Sequence, residues 1–205
     1  HKWKIDENSR QPILLTHDSR LLNFIVDQKT GLVATSAEDG LLKLWNPDSL
    51  NLERVLTVEK DPILNGNVWF MALDRESKLL GTFLNKSPWN SLSFKLWSWP
   101  KLDLIKHYDL PQDTGLTAFS SGGNQFAYSN IETFHLSVFD IDADKVAHTI
   151  ADHGDQIFGI NYSRDGKYLA TACLDGYARV YSTENFEIVG DPLPFGFSYG
   201  AMVDF

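Results

Sequence analysis

Apolar and β-branched residues fall in short runs along this chain: LLNFIV, LVATSA, LLKLW, ERVLTV, FKLW, QFAYS, LSVFDI, YLATAC and YARVY. Gly, Asp, Asn, Pro and Ser separate them. Short runs bounded by turn formers predict β-strands, and many at even spacing predict an all-β fold. No stretch carries the period of a long amphipathic helix. The longest unbroken apolar runs, such as FMAL and FIV, fall far short of the roughly 18 residues of a membrane span.

The pattern repeats. The aromatics closing the KLW-like runs are Trp3, Trp45, Trp97, Phe139 and Tyr181, spaced by 42, 52, 42 and 42 residues. His17 follows Trp3 by fourteen residues, as His153 follows Phe139. His17 precedes Asp39 by 22, as His153 precedes Asp175. Asp39 precedes Trp45 by six, as Asp175 precedes Tyr181. A unit of about 42 residues with four short strands has the period of a propeller blade. The one long interval places an insertion in the second unit.

Two segments carry a family likeness, THDSRLLNFIVDQKTGLVATSAEDGLLKLWN and DHGDQIFGINYSRDGKYLATACLDGYARVYS. In His, strands, Thr, Asp-Gly turn and closing aromatic, the chain resembles the WD-repeat β-propellers. The other two units are degenerate: Ser91 and Thr133 stand where Asp is expected, and Phe139 is followed by Asp140. The resemblance implies an all-β propeller of four-stranded antiparallel blades, a segment of a larger ring of about seven. It divides 1–205 into a partial blade at 1–15, blades at about 16–58, 59–110, 111–152 and 153–194, and a partial blade at 195–205. The chain starts without Met, in keeping with a piece of a longer protein.

The resemblance also implies a hydrogen-bonded chain at each full corner, His17, Thr35, Asp39 and Trp45 in the first and His153, Thr171, Asp175 and Tyr181 in the last. The chemistry suits a brace. A carboxylate accepts from turn donors, a buried indole N–H needs an acceptor, and a His can donate with one nitrogen while accepting with the other. Tyr181 departs from Trp, so the last network is expected to close differently. The competing reading of His17 and Asp39 is an acid–base pair. Recurrence of the pair at the same spacing favours the brace.

Composition narrows the function classes. Hydrophobic residues make up 43% and aromatics 13%, a globular balance. A net charge of -9 disfavours direct nucleic-acid or anionic-membrane binding. The single Cys173 permits no internal disulfide and points to a reducing compartment, so an intracellular, cytoplasmic or nuclear setting is expected. Asn161-Tyr162-Ser163 formally matches a glycosylation sequon. DIDAD, from Asp140 to Asp144, opens like a calcium loop, but Lys145 and Ala151 stand where that loop needs Gly and Glu. SSGGN, Ser120 to Asn124, has no phosphate-loop Lys and predicts a hairpin turn. No nucleophile elbow or metal motif is present, so neither enzyme activity nor a cofactor or metal is expected.

The expected function is a protein–protein interaction scaffold within a multiprotein complex. In similar propellers the exposed positions beside the corner His and Asp often contact partners. Here these are Asp18, Arg20 and Glu38, then Gly154, Gln156 and Leu174. No WDxR follows the aromatics and no paired-arginine motif is present. The insertion is expected around NKSPWNS, where Lys86 and Trp89 lie in a basic, aromatic stretch free of carboxylates. Trp89 there either meets a partner or covers the degenerate blade. The runner-up readings are a recognition module for a basic, histone-like peptide tail, and an accessory propeller of a larger enzyme or signalling protein.

Overall fold

A computed structural model describes residues 17–49, 51–58, 67–74, 78–86 and 91–195. Trp3, Trp89, the N-terminal partial blade and 196–205 lie outside the described residues. Among the described residues, sixteen strands form four antiparallel sheets, each in chain order. The first holds β1 (Leu21–Val26), β2 (Val33–Ala37), β3 (Leu41–Asn46) and β4 (Asn51–Thr57). The second holds β5 (Asn67–Asp74), β6 (Leu79–Lys86), β7 (Ser91–Ser98) and β8 (Leu104–Asp109). The third holds β9 (Thr114–Phe119), β10 (Gln125–Asn130), β11 (Leu136–Asp140) and β12 (Lys145–Ile150). The fourth holds β13 (Ile157–Tyr162), β14 (Tyr168–Cys173), β15 (Tyr177–Ser182) and β16 (Leu193–Pro194).

The first strands of successive sheets touch, β1 on β5, β5 on β9 and β9 on β13, so they form the inner edge. The fourth strands are mostly exposed. Between the sheets lie three apolar layers. Leu42, Leu44, Val68, Leu80 and Trp97 fill the first. Phe83, Phe94, Phe119 and Phe126 dominate the second, and Leu136, Val138, Leu169 and Tyr181 the third. Strand alternation explains how one strand serves two layers. In β10, Phe126 and Tyr128 enter the second layer while Ala127 enters the third. The middle strands are therefore buried on both faces.

The ten-residue excess of the second unit is not confined to the turn around Trp89. Strands β5, β6 and β7 have eight residues each, against five or six for β1–β3. The β6–β7 hairpin is longer, and only 87–90 separate its strands. The rest of the excess falls before Asp74, in the run between β4 and the end of β5.

Candidate functional site: the braced corners and the face beside them

Each Asp-Gly corner needs a left-handed residue, and Gly40 and Gly176 supply it with φ of 71° and 90°. At the first corner, Trp45 Nε1–H donates to Thr35 Oγ1 at 2.8 Å. His17 Nε2 lies 2.8 Å from the same oxygen, and its Nδ1 lies 2.9 Å from Asp39 Oδ2. A neutral ring protonated on Nδ1 satisfies all three contacts: Thr35 O–H donates to Nε2, and Nδ1–H donates to Asp39. Asp39 Oδ1 also accepts Leu41 N–H at 3.0 Å. The four residues form one relay from the buried indole to the turn.

The last corner is wired differently. His153 Nε2 lies 2.9 Å from Thr171 Oγ1. The Tyr181 hydroxyl, farther out than an indole N–H, donates to Asp152 Oδ1 at 2.8 Å. Asp175 does not reach His153, which corrects the expected chain. Its Oδ2 accepts Gly154 N–H at 2.9 Å and Arg179 Nη2–H at 2.7 Å, and its Oδ1 accepts Tyr177 N–H at 3.1 Å and Arg179 Nη1–H at 3.2 Å. Burial alone raises the Asp175 pKa, but Arg179, Gly154 and its other donors outweigh it and hold it at about 2. Burial, ahead of the opposing pull of Asp152, lowers that of His153. Its Nδ1 lies 3.3 Å from Asp152 Oδ1, outside hydrogen-bond geometry and with no other partner.

The degenerate sheets keep fragments. Trp97 Nε1–H donates to Thr82 Oγ1 at 2.9 Å. In the third sheet Phe139 has no donor, and Asn130 Oδ1 accepts Glu132 and Thr133 N–H at 2.9 and 2.7 Å. Of the basic stretch, Lys95 is buried and donates to Val58 O at 2.6 Å, so it is not a free surface charge. Lys86 ends β6, and its side chain lies outside the described residues.

Other sequence candidates resolve locally. Asp140 Oδ1 accepts Asp142 and Ala143 N–H at 2.9 and 2.8 Å, which commits it to the β11–β12 turn. Asn161 of the sequon pairs with Ala170 inside the sheet and Ser163 is buried, a poor acceptor site for a glycan. Cys173 is buried, and burial raises its pKa. One link was missed: Trp99 Nε1–H donates to Asp27 Oδ2 at 2.9 Å, joining the second sheet to the first. Asp27 sits in a turn-like VDQKTG and Trp99 lies 72 positions away, so no local pattern pairs them.

Exposed beside the braces are Asp18, Arg20, Glu38 and Gln156, with Leu174 half-buried. Arg20 Nη2 pairs with Glu38 Oε1 at 2.6 Å. Backbone bonds tie these segments together: Glu38 N–H to Arg20 O at 3.0 Å, Leu174 N–H to Gln156 O at 2.8 Å and, in the third sheet, Ile131 N–H to Asp113 O at 2.8 Å.

The stacked four-stranded sheets define a β-propeller architecture. Residues 144–182 match the family model described as WD domain, G-beta repeat. Coronin-7 of Rattus norvegicus and of Mus musculus are each 39% identical over 59 residues, 29% of this chain and 6% of the relative. The chain thus spans a small part of these relatives. The solved RRP9 WD40 repeats superpose with a TM-score of 0.65 at 17% identity, over 85% of this chain and 51% of that one. The solved U3-55K structure gives the same score and identity, over 85% and 52%. The family model thus places one WD repeat at 144–182, and the solved structures share the propeller fold of the chain.

Proposed function

We propose that this chain is a protein–protein interaction scaffold that docks partner proteins or peptides on the propeller face bearing His17 and Asp39, as part of a larger assembly. WD40 folds generally mediate such interactions and are typically not catalytic. The carrying observation is that the corner residues, His153 Nδ1 apart, spend their polar groups on one another and on the turn backbone. The His17–Thr35–Trp45 relay and the Asp175–Arg179 pair hold the backbone rigid. Asp18, Arg20, Glu38 and Gln156 are left exposed on that support. Rigid scaffolds with exposed polar neighbours favour recognition, because less freedom is lost on binding. The reading carries no enzymatic step, and an intracellular setting, cytoplasmic or nuclear, goes with it.

Affinity capture from cells, using the full-length protein that contains these blades, tests the reading. Wild type is compared with the triple variant Arg20→Ala, Glu38→Ala, Gln156→Ala. At least one partner should disappear from the variant while its melting temperature stays unchanged. An identical partner set in the two samples overturns the proposal.

A further inference from the structure

We propose that the cleft enclosed by the four inner hairpins holds a phosphorylated polyol, a small molecule of the sugar phosphate or inositol phosphate class. The cleft has a volume of about 700 Å³, within the range of small-molecule sites. Gln28, Asp74, Ser120 and Arg164 line it, residues at or just past the ends of β1, β5, β9 and β13. It thus lies on the face where the innermost strands end. The Asp39 turn joins β2 to β3 at the other end of the first sheet, so the site is separate from the face assigned to partner docking.

Its walls are held in place by bonds between neighbouring turns. Ser121 O–H donates to Ser163 O at 3.3 Å, tying the β9–β10 turn to the β13–β14 turn. Thr183 O–H donates to Gly166 O at 2.6 Å, and Thr183 N–H to Lys167 O at 2.9 Å, which adds the segment after β15. Gly166 has φ of 70°, and a Cβ there would lie 2.9 Å from Ser121 Oγ. The two turns therefore close against each other with glycine at that point. A site fixed in advance loses little freedom when a ligand enters.

The lining defines the ligand. Leu73 is the single apolar side chain among the described lining residues, so the occupant is polar. The Arg164 guanidinium and the Gln28 and Gln125 amides line the cleft with no hydrogen bond or ion pair to a described residue. A guanidinium presents paired N–H donors that match a phosphate. The turn tips around it favour an anion. Described residues 28–31, 78, 121–124 and 164–167 carry Lys29, Lys78, Arg164 and Lys167 against one carboxylate, Asp165. Asp27 and Asp74 sit behind them, 3% and 4% exposed. In a chain of net charge -9 this is a local reversal of sign, and its field draws anions in. The carboxylates decide what else the ligand carries. Asp74 and Asp165 line the same cleft, and their oxygens accept from hydroxyls but repel a second phosphate or an acidic peptide. One phosphate on a body of hydroxyls meets both requirements.

The test is isothermal titration calorimetry of the full-length protein that contains these blades. The probes are glucose 6-phosphate, myo-inositol 1-phosphate, unphosphorylated myo-inositol and a phosphoserine peptide. At least one of the two polyol phosphates should bind, and which one does separates the sugar from the inositol. Unphosphorylated myo-inositol and the phosphoserine peptide should bind about tenfold more weakly or not at all. Arg164→Gln should lose about tenfold or more in affinity, whereas Arg20→Gln, on the other face, should lose nothing. Should Arg164→Gln melt early, Gln28→Ala carries the same comparison, since Gln28 is exposed. Absence of binding by both polyol phosphates, binding of myo-inositol or of the phosphoserine peptide as tight as theirs, or an unchanged affinity in Arg164→Gln overturns the proposal. Such a result leaves the scaffold reading standing, because partner capture is tested with residues of the opposite face.

Discussion

At the scale of single residues, one motif serves two different circuits. Asp39 is braced by His17, so Asp39→Ala removes the acceptor of both the imidazole and the Leu41 amide. The expected cost is ~1–3 kcal/mol of unfolding free energy, the cost of leaving a buried donor unpaired. A chemical denaturation curve measures it, and partner binding should persist. Asp175 is braced by Arg179 and should reveal itself through pH instead. Its folded pKa, about 2, lies below its unfolded value. Such a carboxylate contributes stability above the unfolded pKa and loses it as pH falls through the folded one. The stability gap between wild type and Asp175→Asn should therefore shrink as pH drops from about 5 toward 2. The lowered pKa of buried His153 acts at higher pH: its stabilisation is complete above about 6.5 and declines as pH falls below that. Wild type should begin losing stability there, and His153→Gln should flatten that first decline. The Asp-Gly repeat and its His were legible from spacing alone. The exchange of partners was not, because it depends on Arg179, four residues past Asp175, where the first unit has Lys43 over the Trp45 ring.

At the scale of strands, the repeat carries the elements and the contacts between sheets carry the exceptions. Strand positions were readable because short apolar runs end at turn residues, and the aromatic register marked the third strand of each sheet. The Asp27–Trp99 bond was hidden, since it joins two sheets through residues that look like an ordinary turn and an extra aromatic. Trp99→Phe keeps most of the packing and removes only the donor. It should cost ~1–3 kcal/mol, and a double-mutant cycle with Asp27→Ala should show a favourable coupling energy for the pair. Gly81 is a second strand-level constraint. A Cβ there would lie 2.9 Å from Phe94 Cε2 and 3.2 Å from Phe119 Cγ, atoms of packed rings. Gly81→Ala should therefore destabilise by ~1–3 kcal/mol through overpacking, although alanine suits a strand no worse than glycine. A lower melting temperature checks it.

At the scale of the molecule, stability is arranged along one dimension, because each sheet touches mainly its neighbours. Repeat architectures of this kind approximate a sum of unit stabilities and interface terms. Outer faces of the described stack are less covered: Phe24 in the first sheet is 63% exposed, while its counterparts Met71 and Ile160 pack into layers between sheets. The middle layer is where the two halves are joined, and it is the aromatic one. Phe126 is fully buried there, its ring 4.4 Å from Phe94 and 4.9 Å from Phe139 between centroids. Phe126→Ala should cost ~3–5 kcal/mol, the range for removing a buried aromatic. Its location adds a sharper expectation. The layers on either side keep their own residues, Leu80 and Trp97 on one and Leu169 and Tyr181 on the other. Weakening the joint should therefore separate the melting of β1–β8 from that of β9–β16. Hydrogen exchange would show amides of β6 and β14 falling to different protection levels in Phe126→Ala, where wild type shows one. A uniform drop across all four sheets would mean that cooperativity does not run through the aromatic layer.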